Sequence, residues 1–205
     1  MSLAAAPVLP TPEDVEAARA RLRGVAVRTP LLKLSAEIPG VNIYLKLENL
    51  QPWGSFKIRP AFNVLKSMDP QRLQGGVLTA SAGNFGQGLA FAARQIGVPI
   101  TVVVPEGSAA TKAQALSELG AKVIRVPFDE WWTALTARAF PGEEGVFVNT
   151  VAESAVIVNG RFRTSTPSYL TLLTVTSVLG FAALEVACTG LMVMLGSWNR
   201  DQITM

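Results

Sequence analysis

The feature that most constrains the fold of this 205-residue chain is a regular alternation of apolar runs and helical patterns between residues 76 and 148. The apolar runs have the length and β-branched content of strands, and helical patterns of about 10–13 residues separate them. Such an alternation predicts βαβ units, which place successive strands side by side in a parallel sheet. We therefore expect an α/β protein with an open parallel sheet.

Each predicted element can be assigned to a range of residues. The predicted strands are 76–79, 100–104, 122–126 and 146–148, and the predicted helices between them are 84–96, 109–119 and 128–140. Nearer the N-terminus, Thr11-Pro12-Glu13-Asp14 has the residues of a capped helix start, and that helix should run to about Arg23. A further strand is expected at 42–47, followed by a loop at 51–54.

The composition excludes several classes of site. The chain has no histidine, which rules out Ser-His-Asp and Cys-His catalysis and any metal site with histidine ligands. Its one cysteine, Cys188, excludes an internal disulfide and a cysteine-cluster metal site, so we expect no metal and a reducing, cytoplasmic compartment. A net charge of +3 without a basic cluster predicts no nucleic-acid partner. A cofactor is then the most economical source of reactive chemistry.

Lys57 is the first candidate for that chemistry. It stands in the stretch Gly-Ser-Phe-Lys-Ile-Arg, residues 54–59, at a predicted helix start. A lone lysine is usually an ordinary surface residue, but a cation near a helix N-terminus opposes the helix dipole. Burial at that place would lower the pKa of the amine further. Because a neutral lysine amine can form a Schiff base, Lys57 is predicted to be reactive.

The segment Ser81-Ala82-Gly83-Asn84 lies between a predicted strand and a predicted helix. It has the residues of a capped turn, and the unpaired N–H groups of a helix start also suit a carboxylate or a phosphate. A dinucleotide site is a third interpretation, because Gly83, Gly86 and Gly88 are followed about twenty residues later by Glu106. The glycine spacing is G-x-x-G-x-G and not G-x-G-x-x-G, which weakens this interpretation.

Taken together, these motifs resemble those of fold-type II pyridoxal-phosphate (PLP) enzymes, and most closely those of serine/threonine dehydratases. Residues 45–59 resemble the sequence around the cofactor lysine of that family, and residues 81–88 resemble its S-x-G-N-x-x-Q-G loop. The resemblance extends over about residues 10–158 and includes the R-T-P-L segment at 28–31. It implies a tryptophan-synthase-β-like architecture, pyridoxal 5'-phosphate as cofactor, a small amino-acid substrate and a homodimer.

The resemblance also implies roles for individual residues. Lys57 would bind the cofactor as a Schiff base and later act as the base at Cα. Phe56 would lie against the pyridine ring, Asn84 would donate a hydrogen bond to the 3′-oxygen, and the backbone amides of Ser81 to Asn84 would bind the substrate carboxylate. Racemases of the family typically have a serine where this chain has Ala82, which favours elimination over racemisation. The implied reaction is β-elimination from a serine- or threonine-type amino acid, giving a 2-oxo acid and ammonia.

The resemblance ends after about residue 160. The family's glycine-rich phosphate loop is not found from Arg161 onward, so the large domain is expected to be incomplete. The implied division is 1–70 for part of the large domain, 71–155 for the small domain and 156–205 for an atypical apolar tail.

Three hypotheses account for this tail: a short divergent enzyme, a truncated dehydratase with a frame-shifted tail, or a non-enzymatic remnant attached to a membrane through 165–184. That last segment has no charged residue, but its serines and threonines argue against a transmembrane helix.

Overall fold

The computed structural model describes residues 11–35, 43–149, 171–173 and 191–195. The chain divides into two compact units, the first formed by residues 1–25 and 57–161 and the second by residues 26–56 and 162–205. This grouping differs from the predicted division at residues 70 and 155, which stays a prediction about the domains of the whole protein.

The first unit contains a parallel sheet of four strands in the order β5-β4-β3-β6. Its strands are β3 (Val77–Ala80), β4 (Ile100–Pro105), β5 (Lys122–Val126) and β6 (Val146–Phe147). Its helices are α1 (Pro12–Arg21), α2 (Ile58–Ser67), α3 (Asn84–Ile96), α4 (Ala110–Glu118) and α5 (Phe128–Ala137). The alternation of strands and helices from β3 to β6 confirms the predicted α/β class and the parallel sheet.

A local sequence signal explains the start of α1. The backbone N–H of Asp14 donates to Thr11 Oγ1 over 3.2 Å, and the N–H of Thr11 donates to Asp14 Oδ2 over 2.8 Å. This reciprocal capping box was expected from the sequence Thr-Pro-Glu-Asp. The helix ends at Arg21, two residues before the predicted end, which is within the usual uncertainty of helix boundaries.

The parallel sheet is covered on both faces, as parallel sheets generally require. On one face, β3, β4 and β5 contribute side chains to a cluster with α5; its buried members are Leu78, Ala80, Val103, Val126, Trp131 and Ala134. Val77, Thr79, Val102 and Val104 alternate with these residues and are also buried. They belong to the opposite face, and α3 packs against the same two strands.

Helix α5 is three residues shorter than predicted. Arg138 adopts a left-handed conformation with φ 56° and ψ 40°, which ends the helix after Ala137. The chain then turns back, and Phe140 packs against the cluster between α5 and the sheet. The predicted helix therefore stops early because Phe140 joins the core.

The second unit contains an antiparallel sheet that the sequence pattern did not predict. Its strands are β1 (Leu31–Leu34), β2 (Ile43–Leu47), β7 (Thr171–Leu173) and β8 (Leu191–Leu195), in the order β1-β2-β8-β7. Strand β2 agrees with the predicted strand at 42–47. It pairs with β1 on one side and with β8 on the other, with Leu45 opposite Val193.

Most of the predicted tail, residues 156–205, lies outside the described residues. Of the charge-free segment 165–184, only Thr171–Leu173 is described, and these residues form β7. Within the ranges given above, no helix has both the length and the apolar character needed to cross a membrane.

Candidate active site

Lys57 lies at the start of α2, as the sequence predicted. It is the N-cap residue, with φ −63° and ψ −15°, and its carbonyl oxygen accepts a hydrogen bond from Ala61 N over 3.2 Å. The side chain is half-buried. Burial lowers the pKa of the Lys57 amine from its ordinary value of 10.5, which confirms the predicted direction. A lower pKa increases the neutral fraction of the amine, and the neutral form is the nucleophile.

The loop after β3 is a structured turn. The backbone N–H of Ser81 donates to Val103 O over 3.1 Å and so continues the pairing of β3 with β4. The Ser81 side chain is buried, and its Oγ accepts a hydrogen bond from Gly86 N over 3.1 Å. The hydroxyl therefore satisfies one of the N–H groups at the start of α3 that have no partner within the helix. The capped-turn interpretation was correct for Ser81.

The next three residues of the loop, which were also predicted to belong to the site, lie at or just before the start of α3. Gly83 is the N-cap residue of α3 and has an extended backbone, and it has no side chain with which to cap the helix. Asn84 is the first residue of α3, so it does not cap the helix. Ala82, Gly83 and Asn84 are all half-buried. A helix start of this kind, with backbone N–H groups next to a partly open surface, suits a carboxylate.

Two glycines of α3 lie close to other backbone segments: Gly86 to the loop at Ser81 and Gly88 to Lys57. A β-carbon at Gly86 would lie 2.9 Å from Ser81 O, and one at Gly88 would lie 2.9 Å from both the carbonyl carbon and the carbonyl oxygen of Lys57. Because real β-carbons do not approach backbone atoms so closely, both positions require glycine. The structure thus places the first turns of α3 directly against the backbone of Lys57. The sequence motif contained both glycines, but their contacts were not predicted.

This packing also bears on the dinucleotide interpretation. Gly86 and Gly88 are buried, and each lies against protein backbone instead of leaving room for a diphosphate. Glu106, the proposed ribose ligand, is exposed just after β4. The interpretation of these glycines as a dinucleotide site finds no support.

Phe56 is the last residue of the first segment of the second unit, residues 26–56, and the chain neighbour of Lys57. It is half-buried. Its predicted place against the cofactor ring stays a prediction.

The second unit contains a buried polar network that sequence reasoning missed. Glu48 Oε1 accepts a hydrogen bond from Thr29 Oγ1 over 2.6 Å, and Glu48 Oε2 accepts one from Gln51 Nε2 over 3.2 Å. Lys46 Nζ lies 3.9 Å from Glu48 Oε1 and donates to Thr29 O. Gln51 also pairs with the backbone of Val27, donating to its carbonyl over 2.6 Å and accepting from its N–H over 2.9 Å.

A signal for this network was present in the sequence. Lys46 lies near the end of β2 and Glu48 directly follows that strand, so two oppositely charged residues stand close together next to an apolar run. Both are fully buried, as are Thr29 and Gln51, and they connect the R-T-P-L segment to the stretch that leads to Lys57. These hydrogen bonds fix the backbone at residues 46–51, shortly before Lys57 in the chain.

Two known enzymes have sequences similar to part of this chain. The catabolic L-threonine dehydratase of Staphylococcus aureus is 43% identical over 114 residues, which are 54% of this chain and 33% of that protein. The L-threonine ammonia-lyase of Thermotoga maritima is 44% identical over 116 residues, 56% of this chain and 29% of that protein. The chain therefore spans about a third of the length of these relatives.

Solved structures include chains that are similar to this one in both fold and sequence. The crystal structure of serine racemase from Dictyostelium discoideum has a TM-score of 0.64 and 33% sequence identity to this chain. The alignment covers 72% of this chain and 49% of the racemase. The family profile described as "Pyridoxal-phosphate dependent enzyme" matches residues 22–166, well over half of the chain. This chain belongs to the family of pyridoxal-phosphate dependent enzymes.

Proposed function

We propose that the protein to which this chain belongs is an ammonia-lyase that removes the β-hydroxyl of a serine- or threonine-type amino acid and yields a 2-oxo acid and ammonia. The observation that carries this proposal is the contact between Lys57 and the start of α3. The backbone of Lys57, a half-buried residue whose amine has a lowered pKa, packs against Gly88 in the second turn of α3, the helix whose start suits a carboxylate. The names of the two relatives, a threonine dehydratase and a threonine ammonia-lyase, agree with this reaction.

The residues present fit the cofactor of the family. An aldehyde needs a neutral amine for attachment, and burial at Lys57 favours that form. Lys57 would hold the cofactor covalently, Asn84 would donate a hydrogen bond to its 3′-oxygen, and Phe56 would lie against its ring. The chemistry that pyridoxal phosphate supplies when bound is an electron sink for the bond between Cα and its hydrogen.

The protein groups then have separate tasks. The N–H groups of Ser81 to Asn84 would hold the substrate carboxylate and so fix the direction of the Cα–H bond. The amine of Lys57 would accept the Cα proton as a general base. The β-hydroxyl would take up that proton and leave as water, and a second water molecule would replace the amino group, which would leave as ammonia. The net change is one amino acid to one 2-oxo acid and one ammonia.

Racemisation is the competing outcome, because the chain is also similar to a serine racemase. Returning a proton to the opposite face of Cα requires an acid on that face. The residue before the loop glycine is Ala82, whose methyl side chain can neither donate nor accept a proton. We therefore propose elimination as the main reaction. The predicted homodimer and cytoplasmic location are proposed for the whole protein.

The experiment treats purified protein with pyridoxal 5'-phosphate, reduces it with borohydride and identifies the modified lysine by peptide mass spectrometry. We expect modification of Lys57, loss of it in Lys57→Ala, and retention of it in Lys66→Ala, which changes an exposed lysine of the same helix. In a separate sample that has not been reduced, protein with pyridoxal 5'-phosphate should form 2-oxo acid faster from L-threonine and L-serine than from the D-enantiomers. Modification spread over several lysines, or a colourless protein that sediments with membranes, would contradict the proposal and favour a non-enzymatic remnant.

A further inference from the structure

We propose that the first turns of α3 act as a spacer between the loop at Ser81 and the start of α2, with Gly86 and Gly88 as positioning residues. Gly88 would position Lys57, and Gly86 would position the loop. This inference rests on the proposed function, because it concerns the two groups that the reaction must hold at a fixed separation.

The two glycines face nearly opposite sides of α3. At 3.6 residues per turn, positions two apart are rotated by about 200° around the helix axis. One side meets Ser81 O at 2.9 Å, and the other meets the carbonyl group of Lys57 at 2.9 Å and Ile58 N at 3.2 Å, measured from a β-carbon built at each glycine. The backbone of α3 alone therefore sets the distance between the loop and the lysine.

The backbone of Lys57, which Gly88 contacts, cannot move away easily. The carbonyl of Lys57 already accepts the first hydrogen bond of α2, from Ala61 N. Seven of the ten residues of α2 are buried, and one turn beyond Gly88 the rings of Phe62 and Phe91 pack edge to face with centroids 5.8 Å apart. A side chain at Gly88 would have to push backbone away from backbone, which is costlier than turning a flexible side chain.

The two positions should therefore have separable effects. Gly88→Ala is expected to push α2 from α3 at the lysine, admit water there and reduce the burial that lowers the pKa of Lys57. Gly86→Ala is expected to displace Ser81 and the anion-binding loop while leaving Lys57 in place. A displacement of about 1 Å at a reacting group can lower the rate by about 100-fold.

The test measures the amine of Lys57 directly in cofactor-free protein. Competitive labelling with acetic anhydride across a pH series, followed by peptide mass spectrometry, gives the pKa of Lys57, with Lys66 as an internal reference. We expect the pKa of Lys57 to rise toward 10.5 in Gly88→Ala. Trapping of pyridoxal phosphate at Lys57 should also weaken about tenfold. Gly86→Ala should leave the pKa unchanged and raise KM for the amino acid.

Ala93→Gly is the matched control, because it weakens the same helix by about 1 kcal/mol at a position five residues beyond Gly88. It should lower the melting temperature without changing the pKa of Lys57. If Gly88→Ala does not fold, Phe91→Ala, which loosens α2 from α3 at the next turn, should raise the pKa of Lys57 by a smaller amount. An unchanged pKa in whichever of these two variants folds would overturn the proposal. Absence of cofactor trapping in the unmodified protein would instead contradict the proposed function, while the labelling would still test the spacer.

Discussion

Thr29 donates a hydrogen bond from Oγ1 to Glu48 Oε1 over 2.6 Å, and both residues are almost completely shielded from solvent. The same carboxylate lies 3.9 Å from Lys46 Nζ and accepts from Gln51. A carboxylate without water depends on such partners, because the cost of burying an unpaired charge is several kcal/mol. The network therefore makes the stretch before Lys57 sensitive to the loss of any one member.

Glu48→Ala should destabilise the protein strongly. The substitution leaves the ammonium of Lys46 buried without its carboxylate, and breaking a buried pair in this way costs about 3–5 kcal/mol of unfolding free energy. Urea unfolding followed by circular dichroism measures the loss. The double variant Lys46→Met with Glu48→Leu removes both charges and should be more stable than Glu48→Ala. If the double variant were less stable than Glu48→Ala, the attraction between Lys46 and Glu48 would contribute more free energy to folding than the burial of the two charges costs.

The stability of the cofactor-free protein should depend on pH through Lys57. Burial lowers the pKa of Lys57 in the folded chain, so between that lower value and 10.5 the unfolded chain binds more protons. The unfolding free energy contributed by this site therefore rises with pH across that window. Lys57→Met keeps the length and removes the charge, so its stability advantage should be largest below the lowered pKa and shrink toward pH 10.5. Urea unfolding at a series of pH values measures this, and a constant difference would contradict it.

The pKa of Glu143 should return toward its ordinary value when Lys122 is removed. Lys122 Nζ donates to Glu143 Oε1 over 2.6 Å and is the main cause of the lowered pKa, and Thr101 donates to Oε2 over 3.2 Å. Because the folded pKa lies below 4.5, this carboxylate adds stability above pH 4.5 and loses it as the pH falls through the lowered value. Carbon-detected NMR titration should show a larger rise in pKa for Lys122→Met than for Thr101→Val. The reverse order would contradict the assignment.

The turn before Lys57 contains a strained residue. Trp53 has φ 62° and ψ 19°, a left-handed conformation that costs a residue with a β-carbon about 1–2 kcal/mol. Trp53→Gly and Trp53→Ala remove the same indole, but only glycine removes the strain. We expect Trp53→Gly to be more stable than Trp53→Ala by about 1 kcal/mol, since the larger unfolded-state entropy of glycine offsets part of the gain. Thermal unfolding of the two variants checks this, and equal melting temperatures would argue against strain.

Much of the first unit was predictable because its signals are local. The bounds of α3 and β5 agree with the prediction, since Gly97 ends α3 in a left-handed conformation with φ 79° and β5 is a short β-branched run. The sequence also predicted that Lys57 lies at the start of α2. The early end of α5 did not, because it depends on Phe140 reaching a core formed by distant strands.

The second unit was largely unpredictable for a related reason. Strand β2 pairs with β8, which lies near the C-terminus of the chain, and no local sequence pattern indicates that pairing. The partners of Glu48 and the close contact of Gly88 with Lys57 are likewise contacts between segments distant in sequence. A sequence motif predicted the residues of the candidate site, whereas the backbone contacts among them required the structure.

The pairing of β2 with β8 has a consequence for synthesis on the ribosome. The parallel sheet from β3 to β6 can form as soon as residues up to 149 have emerged, because its strands follow one another in the chain. Strand β2 emerges earlier, yet one of its edges has no partner until residues 191–195 have been translated. At about 5–20 residues per second, that edge is open for about 7–30 seconds, and an open strand edge is a site for aggregation. The order of translation thus leaves this edge of β2 unprotected until β8 has been made.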